Sequence, residues 1–213
     1  MRLKKKVKRT LLFILMILLL GGSLYYLFFY GKRPAKKSKV INTISKYGYE
    51  LKDSKPEAFK EEFANLKKIL SKKDVDEESY AKSISKLFVI DFYSLNDKLA
   101  KTDVGGSQFV SNSVKQDFLE KAENTYYKYL ESNIYGNRNE ELPIVTEAKI
   151  ESIEKAPFTY GDNSDEEAYK VNVSWKYNSS SFSSYQKKAT IILVHEDNKL
   201  VIVEEGESSN EEK

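Results

Sequence analysis

The sequence predicts an α+β protein in which an N-terminal transmembrane helix is followed by three helices packed on a curved antiparallel sheet of about four strands. Residues 11–30 form an apolar run without a charged side chain, and a helix of that length spans about 30 Å, the thickness of a bilayer's hydrocarbon core. Apolar residues recur every three or four positions over residues 53–132, whereas the period falls to two by residue 171. Helices and strands that occupy separate parts of a chain favour the α+β class.

The N-terminal apolar run has two interpretations, a retained anchor and a cleaved signal peptide. Residues 1–10 are a basic tail, residues 11–20 have the length of a signal-peptide core, and residues 21–23 are small, as a cleavage site requires. The run nevertheless continues through residues 24–30 and ends in aromatic side chains, which is typical of a membrane interface. We therefore expect an uncleaved span over residues 11–30 in the lipid bilayer, with the cleaved signal as the alternative.

The charged residues are distributed unevenly along the chain. Residues 1–40 hold eleven Lys and Arg residues and no acidic residue, so the other 24 basic residues face 32 acidic ones, a net charge of −8. A domain of that charge repels a phosphate backbone, and we expect no nucleic-acid partner. Six basic residues precede the span and five follow it within ten positions, so the positive-inside bias is nearly flat. The short basic tail and the lack of a second apolar span favour a cytoplasmic N-terminus and an extracytoplasmic domain, so we expect a single-pass protein of the cell membrane.

Residues 31–52 are predicted to be a basic, then polar linker that precedes a domain at residues 53–205. The first helix of this domain is expected to begin with an N-cap at Asp53 or Ser54, because Pro56 suits the first turn. Its apolar face consists of Phe59, Phe63, Leu66 and Leu70.

The second and third helices of the domain are predicted over residues 76–98 and 113–132. The second is apolar nearly all round, which predicts burial on more than one side, and a curved sheet is the simplest cover for it. Its apolar residues are Ile84, Leu87, Phe88, Val89, Ile90, Phe92 and Leu95. The apolar face of the third consists of Val114, Phe118, Ala122, Tyr126 and Tyr129. Between the two helices, Gly105 and Gly106 indicate a backbone turn that residues with a Cβ would resist.

The second half of the chain predicts the sheet. Residues 171–177 alternate apolar and polar side chains, as a half-buried strand does. Pro157 is expected at the edge or end of its strand, since proline donates no hydrogen bond. The serine-rich residues 178–184 are a predicted loop and residues 206–213 an acidic flexible tail. The predicted strands are residues 144–158, 171–177, 189–194 and 200–203.

The run Leu87–Leu95, followed by a sheet that ends in residues 189–194, resembles the NTF2-like cone fold. A short cytosolic tail, one span and such a domain outside the membrane also resemble the VirB8-type components of bacterial type IV secretion and conjugation machines. The resemblance covers about residues 53–205 and rests on the order of the elements. It implies a non-enzymatic scaffold that binds other machine subunits and associates with itself.

Asp91 is the sharpest candidate for a functional residue, because it lies inside the apolar run of the second helix. A carboxylate there must be hydrogen-bonded, paired or protonated. One interpretation is a pocket acid, as in isomerase members of the NTF2-like group; Phe88, Phe92 and Trp175 would then border the pocket rather than fill it. The other, which we favour, is a structural carboxylate that accepts backbone N–H bonds from the loop at residues 105–106.

His195 is the one histidine of the chain and lies at a predicted turn beside two acidic residues. A metal would need further imidazole or thiolate ligands, and the chain has no cysteine, so we expect no metal. The tyrosines Tyr126 and Tyr129 are expected in the core. A surface for a protein partner, formed by tyrosines together with Trp175, is the alternative.

The chain carries no P-loop, dinucleotide fingerprint, serine-hydrolase elbow or zinc-protease motif. The absence of cysteine also excludes disulfides and thiol catalysis. We therefore expect no enzymatic activity and no cofactor. Our sequence-based hypothesis is a non-enzymatic scaffold or interaction protein of the bacterial cell envelope that binds other envelope proteins or itself, as part of a conjugation or secretion apparatus. The alternative is an extracytoplasmic module that binds a small ligand in a pocket between the sheet and the second helix.

Overall fold

The computed structural model describes residues 5–29 and 38–207 of the chain. Two compact units are distinguished. Of the described residues, the first unit comprises 5–29 and 133–137, and the second comprises 38–132 and 138–207. The second unit is an α+β domain with an antiparallel sheet of four strands.

Helix α1 extends over Lys5–Phe29 and carries exposed apolar side chains from Val7 to Leu27. Its segment Lys6–Leu27 is long and apolar enough to cross a membrane, a property that a membrane anchor and a signal sequence share. Residues 1–4 of the predicted tail, Tyr30 of the predicted span and residues 31–37 of the predicted linker lie outside the described residues.

Residues 40–52, which the sequence analysis assigns to the linker, form a β-hairpin instead. Strand β1, Val40–Ile44, pairs antiparallel with strand β2, Tyr49–Lys52. Alternate residues of β2 are buried, and the Tyr49 hydroxyl lies 2.6 Å from the hydroxyl of Tyr80. The linker prediction is wrong for this segment, because a four-residue alternation inside a polar stretch is too short to stand out from it.

Helix α2 extends over Glu57–Leu70, with Pro56 in the N-cap position. The predicted N-cap at Asp53 or Ser54 is wrong. The Asp53 carboxylate accepts the backbone N–H of Lys39 instead, which ties this carboxylate to the start of the β-hairpin.

Helix α3 extends over Glu77–Tyr93, and the carboxylate of Asp76 caps it by accepting the backbone N–H of Ser79. The helix ends five residues before the predicted end at Lys98. The chain turns away there because its polar groups find partners in the segment that leads into the sheet: the hydroxyl of Ser94 accepts the backbone N–H of Val145 at 2.9 Å.

Helix α4 extends over Lys115–Asn124 and is shorter than predicted, since the chain continues in turns. The helical spacing therefore no longer applies beyond Thr125. Tyr127 is fully buried, whereas Tyr129 is 82 % exposed, so the prediction that Tyr129 belongs to the core is wrong.

The sheet has the strand order β3–β4–β5–β6, with each strand antiparallel to the next. Pro157 lies on the edge strand β3, at a register irregularity between Ala156 and Phe158, where its missing N–H costs no ladder bond. Gly206 and Glu207, assigned to the flexible tail by the sequence analysis, belong to the last strand, and residues 208–213 lie outside the described residues. The strands are β3 Val145–Tyr160, β4 Asn163–Tyr177, β5 Lys188–Glu196 and β6 Lys199–Glu207.

Helix α3 packs on α2 and on the sheet strands β3 and β4. This explains why its sequence is apolar nearly all round, since both sides face other elements. The serine-rich loop predicted at residues 178–184 contains one short helical turn, Ser180–Phe182. The side chains that the sheet contributes to the main core include Tyr169, Val171, Val173, Trp175, Ala189, Ile191 and Leu193.

Candidate functional site: a buried four-charge cluster

Asp91 lies in the last turn of α3 and is 4 % exposed. Its Oδ1 accepts hydrogen bonds from the ammonium groups of Lys55 at 2.5 Å and Lys98 at 2.7 Å. Its Oδ2 accepts the backbone N–H of Gly106 at 2.9 Å. The hydrogen bond from the glycine loop that the structural interpretation of Asp91 requires is therefore present.

Asp97 completes a group that we call the four-charge cluster: Lys55, Asp91, Asp97 and Lys98. Nζ of Lys98 lies 2.6 Å from Oδ1 of Asp97, and Nζ of Lys55 lies 3.0 Å from Oδ2. None of the four side chains is more than 11 % exposed. Two ammonium groups balance two carboxylates, which is the condition under which charges can be buried.

The loop at Gly105 and Gly106 lies directly on the last turn of α3. A Cβ on Gly105 would overlap the carbonyl group of Asp91, and a Cβ on Gly106 would lie 2.6 Å from Cδ2 of Phe88. Gly106 also has a φ of +74°, in the left-handed region that favours glycine. The loop backbone can reach the Asp91 carboxylate only because both positions lack a side chain.

Tyr127 also binds the glycine loop, through its side-chain hydroxyl. Its hydroxyl accepts the backbone N–H of Gly105 at 3.0 Å and donates to the carbonyl of Phe92 at 2.6 Å. Burial raises the pKa of this hydroxyl well above its ordinary value, so the hydroxyl stays protonated and keeps donating. The side chain therefore joins the end of α3, the glycine loop and the segment that follows α4.

Asp91 and Lys98 keep their charges at neutral pH. Burial alone would raise the pKa of Asp91, but the ammonium groups of Lys98 and Lys55 outweigh burial and hold that pKa below its ordinary value. Burial alone would lower the pKa of Lys98, but the carboxylates of Asp91 and Asp97 outweigh burial and raise it. Groups whose pKa values are pushed away from neutrality are poor general acids and bases, so this geometry favours a structural role.

These pKa shifts give the stability of the domain a defined pH dependence. The lowered pKa of Asp91 stabilises the fold above the ordinary Asp value of about 3.9, and this contribution is lost as the pH falls below it. The raised pKa of Lys98 stabilises the fold below about 10.4, and this contribution is lost at higher pH. The difference in stability between the wild type and Asp91→Asn in denaturant titrations should therefore be largest between about pH 5 and 10 and should shrink progressively as the pH falls below about 4. A constant difference down to pH 2 would contradict the assignment.

The aromatic residues assigned to the possible pocket lie in two groups. Phe88 and Phe92 stack with ring centroids 5.5 Å apart, whereas Trp175 stacks on Tyr93 at 4.2 Å. Phe88, Phe92 and Trp175 are at most 5 % exposed. The structure thus brings Phe88 to Asp91 and the glycine loop, while Trp175 belongs to the sheet side of α3.

His195 lies within strand β5 and not at a turn as predicted, because β5 continues to Glu196. Its Nδ1 lies 2.8 Å from Oδ2 of Asp165, and its Nε2 lies 3.5 Å from Oε2 of Glu77. Within residues 5–29 and 38–207, no group of three or more His, Cys, Asp or Glu side chains could hold a metal.

The sequence analysis missed four residues of this site: Lys55, Asp97, Lys98 and Tyr127. Lys98 does carry a signal, since it lies seven positions after Asp91, two helical turns along the predicted helix. Lys55 carries none, because 36 positions separate it from Asp91 and no local pattern links them.

No family model, no curated protein and no solved structure matches the chain.

Proposed function

We propose that this chain is a single-pass membrane protein whose α+β domain is a non-enzymatic interaction module of the bacterial cell envelope. In this proposal the domain adopts an NTF2-like fold and binds other envelope proteins or further copies of itself, in the manner of the VirB8-type components it resembles. One observation carries the proposal: an exposed apolar helix of membrane-spanning length, Lys6–Leu27, precedes a domain in which Asp91, the strongest candidate for a catalytic residue, is bonded within the four-charge cluster.

The anchor supports the proposal through its composition. Apolar side chains of α1 are exposed from Val7 to Leu27, and in water such a surface would be unfavourable by about 25 cal/mol for each Å². A lipid bilayer removes this cost, since it surrounds the helix with hydrocarbon. A tether of this kind concentrates copies of the domain in one plane, which favours assembly.

The four-charge cluster supports a scaffold role rather than a catalytic one. Both oxygens of Asp91 are already bonded, Oδ1 to Lys55 and Lys98 and Oδ2 to Gly106. With three hydrogen bonds accepted and the residue 4 % exposed, at most one acceptor site on Oδ2 is left for a further ligand. The bonds of Asp91 instead hold together Lys55, the end of α3 with the segment that follows it, and the glycine loop.

Cross-linking in native membranes tests the proposal. We expect a lysine-reactive reagent to join the domain to other envelope proteins or to a second copy, with peptides identified by mass spectrometry. The matched control is Gly105→Ala, which keeps α1 but disrupts the domain core. Cross-links that are equally abundant in this variant would arise from crowding by the anchor alone and would contradict the proposal.

The orientation of the domain can be measured independently, because the chain has no cysteine. Asp162 lies exposed in the turn between β3 and β4, and Lys6 lies exposed at the start of α1. In intact cells, a membrane-impermeant maleimide should label Asp162→Cys and leave Lys6→Cys unlabelled. The reverse labelling would show a cytoplasmic domain.

The intact mass of the protein separates a retained anchor from a cleaved signal. A retained anchor predicts the full 24.6 kDa of the chain, after the mass of any label is subtracted, whereas cleavage near residues 21–23 predicts a smaller mass.

A further inference from the structure

A cleft of about 260 Å³ lies between helix α4 and strand β6. Its floor is apolar and is formed by buried or half-buried side chains, among them Phe92, Val110, Phe118 and Ile202. Enclosed sites for small molecules commonly measure about 300–1,000 Å³. The smaller cleft, with exposed residues on its rim, is better matched to one or two apolar side chains of a larger partner.

Strand β6 borders this cleft and is the edge strand of the sheet. The segment before α4 already pairs with this edge at one point: the backbone N–H of Ile202 donates to Phe109, and the N–H of Ser111 donates to Ile202, both at 2.8 Å. Beyond Ile202, no strand among the described residues pairs with the outer edge of β6. The stretch 203–207 therefore offers a strand edge that an extended peptide can extend.

The rim of the cleft is predominantly acidic. Asp117, Glu204 and Glu205 line it, against the single ammonium group of Lys121. Glu205 is held in place because its Oε1 accepts the hydroxyl of buried Tyr93 at 2.6 Å. Asp117 and Glu204 are exposed, and no ion pair involving either is present within the described part of the chain.

We propose that the cleft and the edge of β6 bind an extended segment of a partner protein in which apolar and basic residues alternate. The segment pairs with residues 203–207, places an apolar side chain against Phe92 and Phe118, and directs Lys or Arg side chains at Asp117 and Glu204. Backbone pairing supplies affinity and the pocket supplies specificity, while the opposite charges select the partner. This inference rests on the proposed function and names the surface and the partner chemistry for it.

The test uses the full chain in nanodiscs of phosphatidylcholine, a lipid without net charge that does not attract the probe itself. The probe is a fluorescein-labelled peptide, Lys-Ile-Lys-Phe-Lys-Val, measured by fluorescence anisotropy and compared with Glu-Ile-Glu-Phe-Glu-Val. We expect the basic peptide to bind and the acidic peptide to bind at least about tenfold more weakly, because the attraction to Asp117 and to Glu204 is replaced by repulsion.

Two charge reversals on the surface locate the binding site. Glu204→Lys should weaken the basic peptide about tenfold, because one attraction is replaced by a repulsion. Glu120→Lys makes the same charge change at an exposed position of α4 that does not line the cleft, and it should change affinity less than about twofold. Bound peptide should also slow hydrogen exchange of the amides at residues 203–207.

The other outcomes separate a failure of this inference from a failure of the proposed function. Equal weakening by both variants would indicate general attraction to an acidic domain, and unchanged exchange at residues 203–207 would exclude strand pairing. Decylamine, an apolar chain with one amino group, serves as a small-molecule probe. Binding of decylamine without binding of the peptide would identify a small-molecule site and overturn the inference. If Glu204→Lys leaves the membrane cross-links intact, assembly uses another surface, and only this inference fails. If the peptide binds at Glu204 but wild-type membranes give no cross-links, only the proposed function fails.

Discussion

Replacing Lys98 with methionine should lower the free energy of unfolding by about 3–5 kcal/mol, the usual cost of removing one partner from a buried ion pair. The Lys98 ammonium donates to Asp91 at 2.7 Å and to Asp97 at 2.6 Å, and the side chain is 1 % exposed. Methionine has a similar length, so the change removes charge more than volume. Lys55 would then be the one ammonium group of the cluster left to balance both carboxylates, and equilibrium denaturation of the full chain in detergent measures the loss.

A matched control and a double variant separate the charge effect from general disturbance. Lys60 pairs with Glu57 on the surface of α2, and Lys60→Met should change stability by less than about 1 kcal/mol. Asp91→Asn added to Lys98→Met restores charge balance between Lys55 and Asp97, so the double variant should be more stable than the sum of the single effects predicts. A Lys98→Met protein as stable as the wild type would show that the cluster does not hold the fold.

Replacing Gly105 with alanine should cost at least about 3 kcal/mol or prevent folding, which is at the upper end of overpacking effects. The new Cβ would overlap the carbonyl group of Asp91, which is backbone and cannot rotate away. The loop would have to retreat from α3, and the bonds from Gly106 to Asp91 and from Gly105 to Tyr127 would be lost with it. Thermal unfolding and hydrogen exchange of the loop amides report both effects.

Gly206→Ala is the control for this variant. A Cβ at Gly206 has no atom within 4 Å, so the change should alter the unfolding free energy by less than about 0.5 kcal/mol. Equal stability of the Gly105→Ala and Gly206→Ala proteins would mean that the close approach of the glycine loop to α3 is not required.

The fold was predictable wherever a periodic pattern was long enough. The alternation over residues 171–177 located strand β4, and the nearly continuous apolar character of residues 84–92 identified a helix buried on two sides. The hairpin at residues 40–52 was missed, because its buried side chains alternate over only four residues. The end of α3 was misplaced, since Leu95 is buried in the turn after the helix and continues the apolar spacing beyond it.

The candidate site was predictable in part. A carboxylate inside an apolar helix has to find partners, which singled out Asp91, and paired glycines predicted a close backbone approach at Gly105 and Gly106. The partners Lys55 and Tyr127 could not be predicted, because tertiary packing alone brings them to α3. Surface lysines are frequent in this chain, and nothing local distinguishes Lys55 from the others.

The mass of the full-length protein, extracted from its native membranes in mild detergent and measured under native conditions, tests the central claim most directly. A non-enzymatic interaction module on a membrane anchor predicts complexes heavier than the 24.6 kDa chain, composed of further copies or of other envelope proteins in fixed proportion. A single species of one uncleaved chain without partners, at every detergent concentration that preserves the fold, would contradict it.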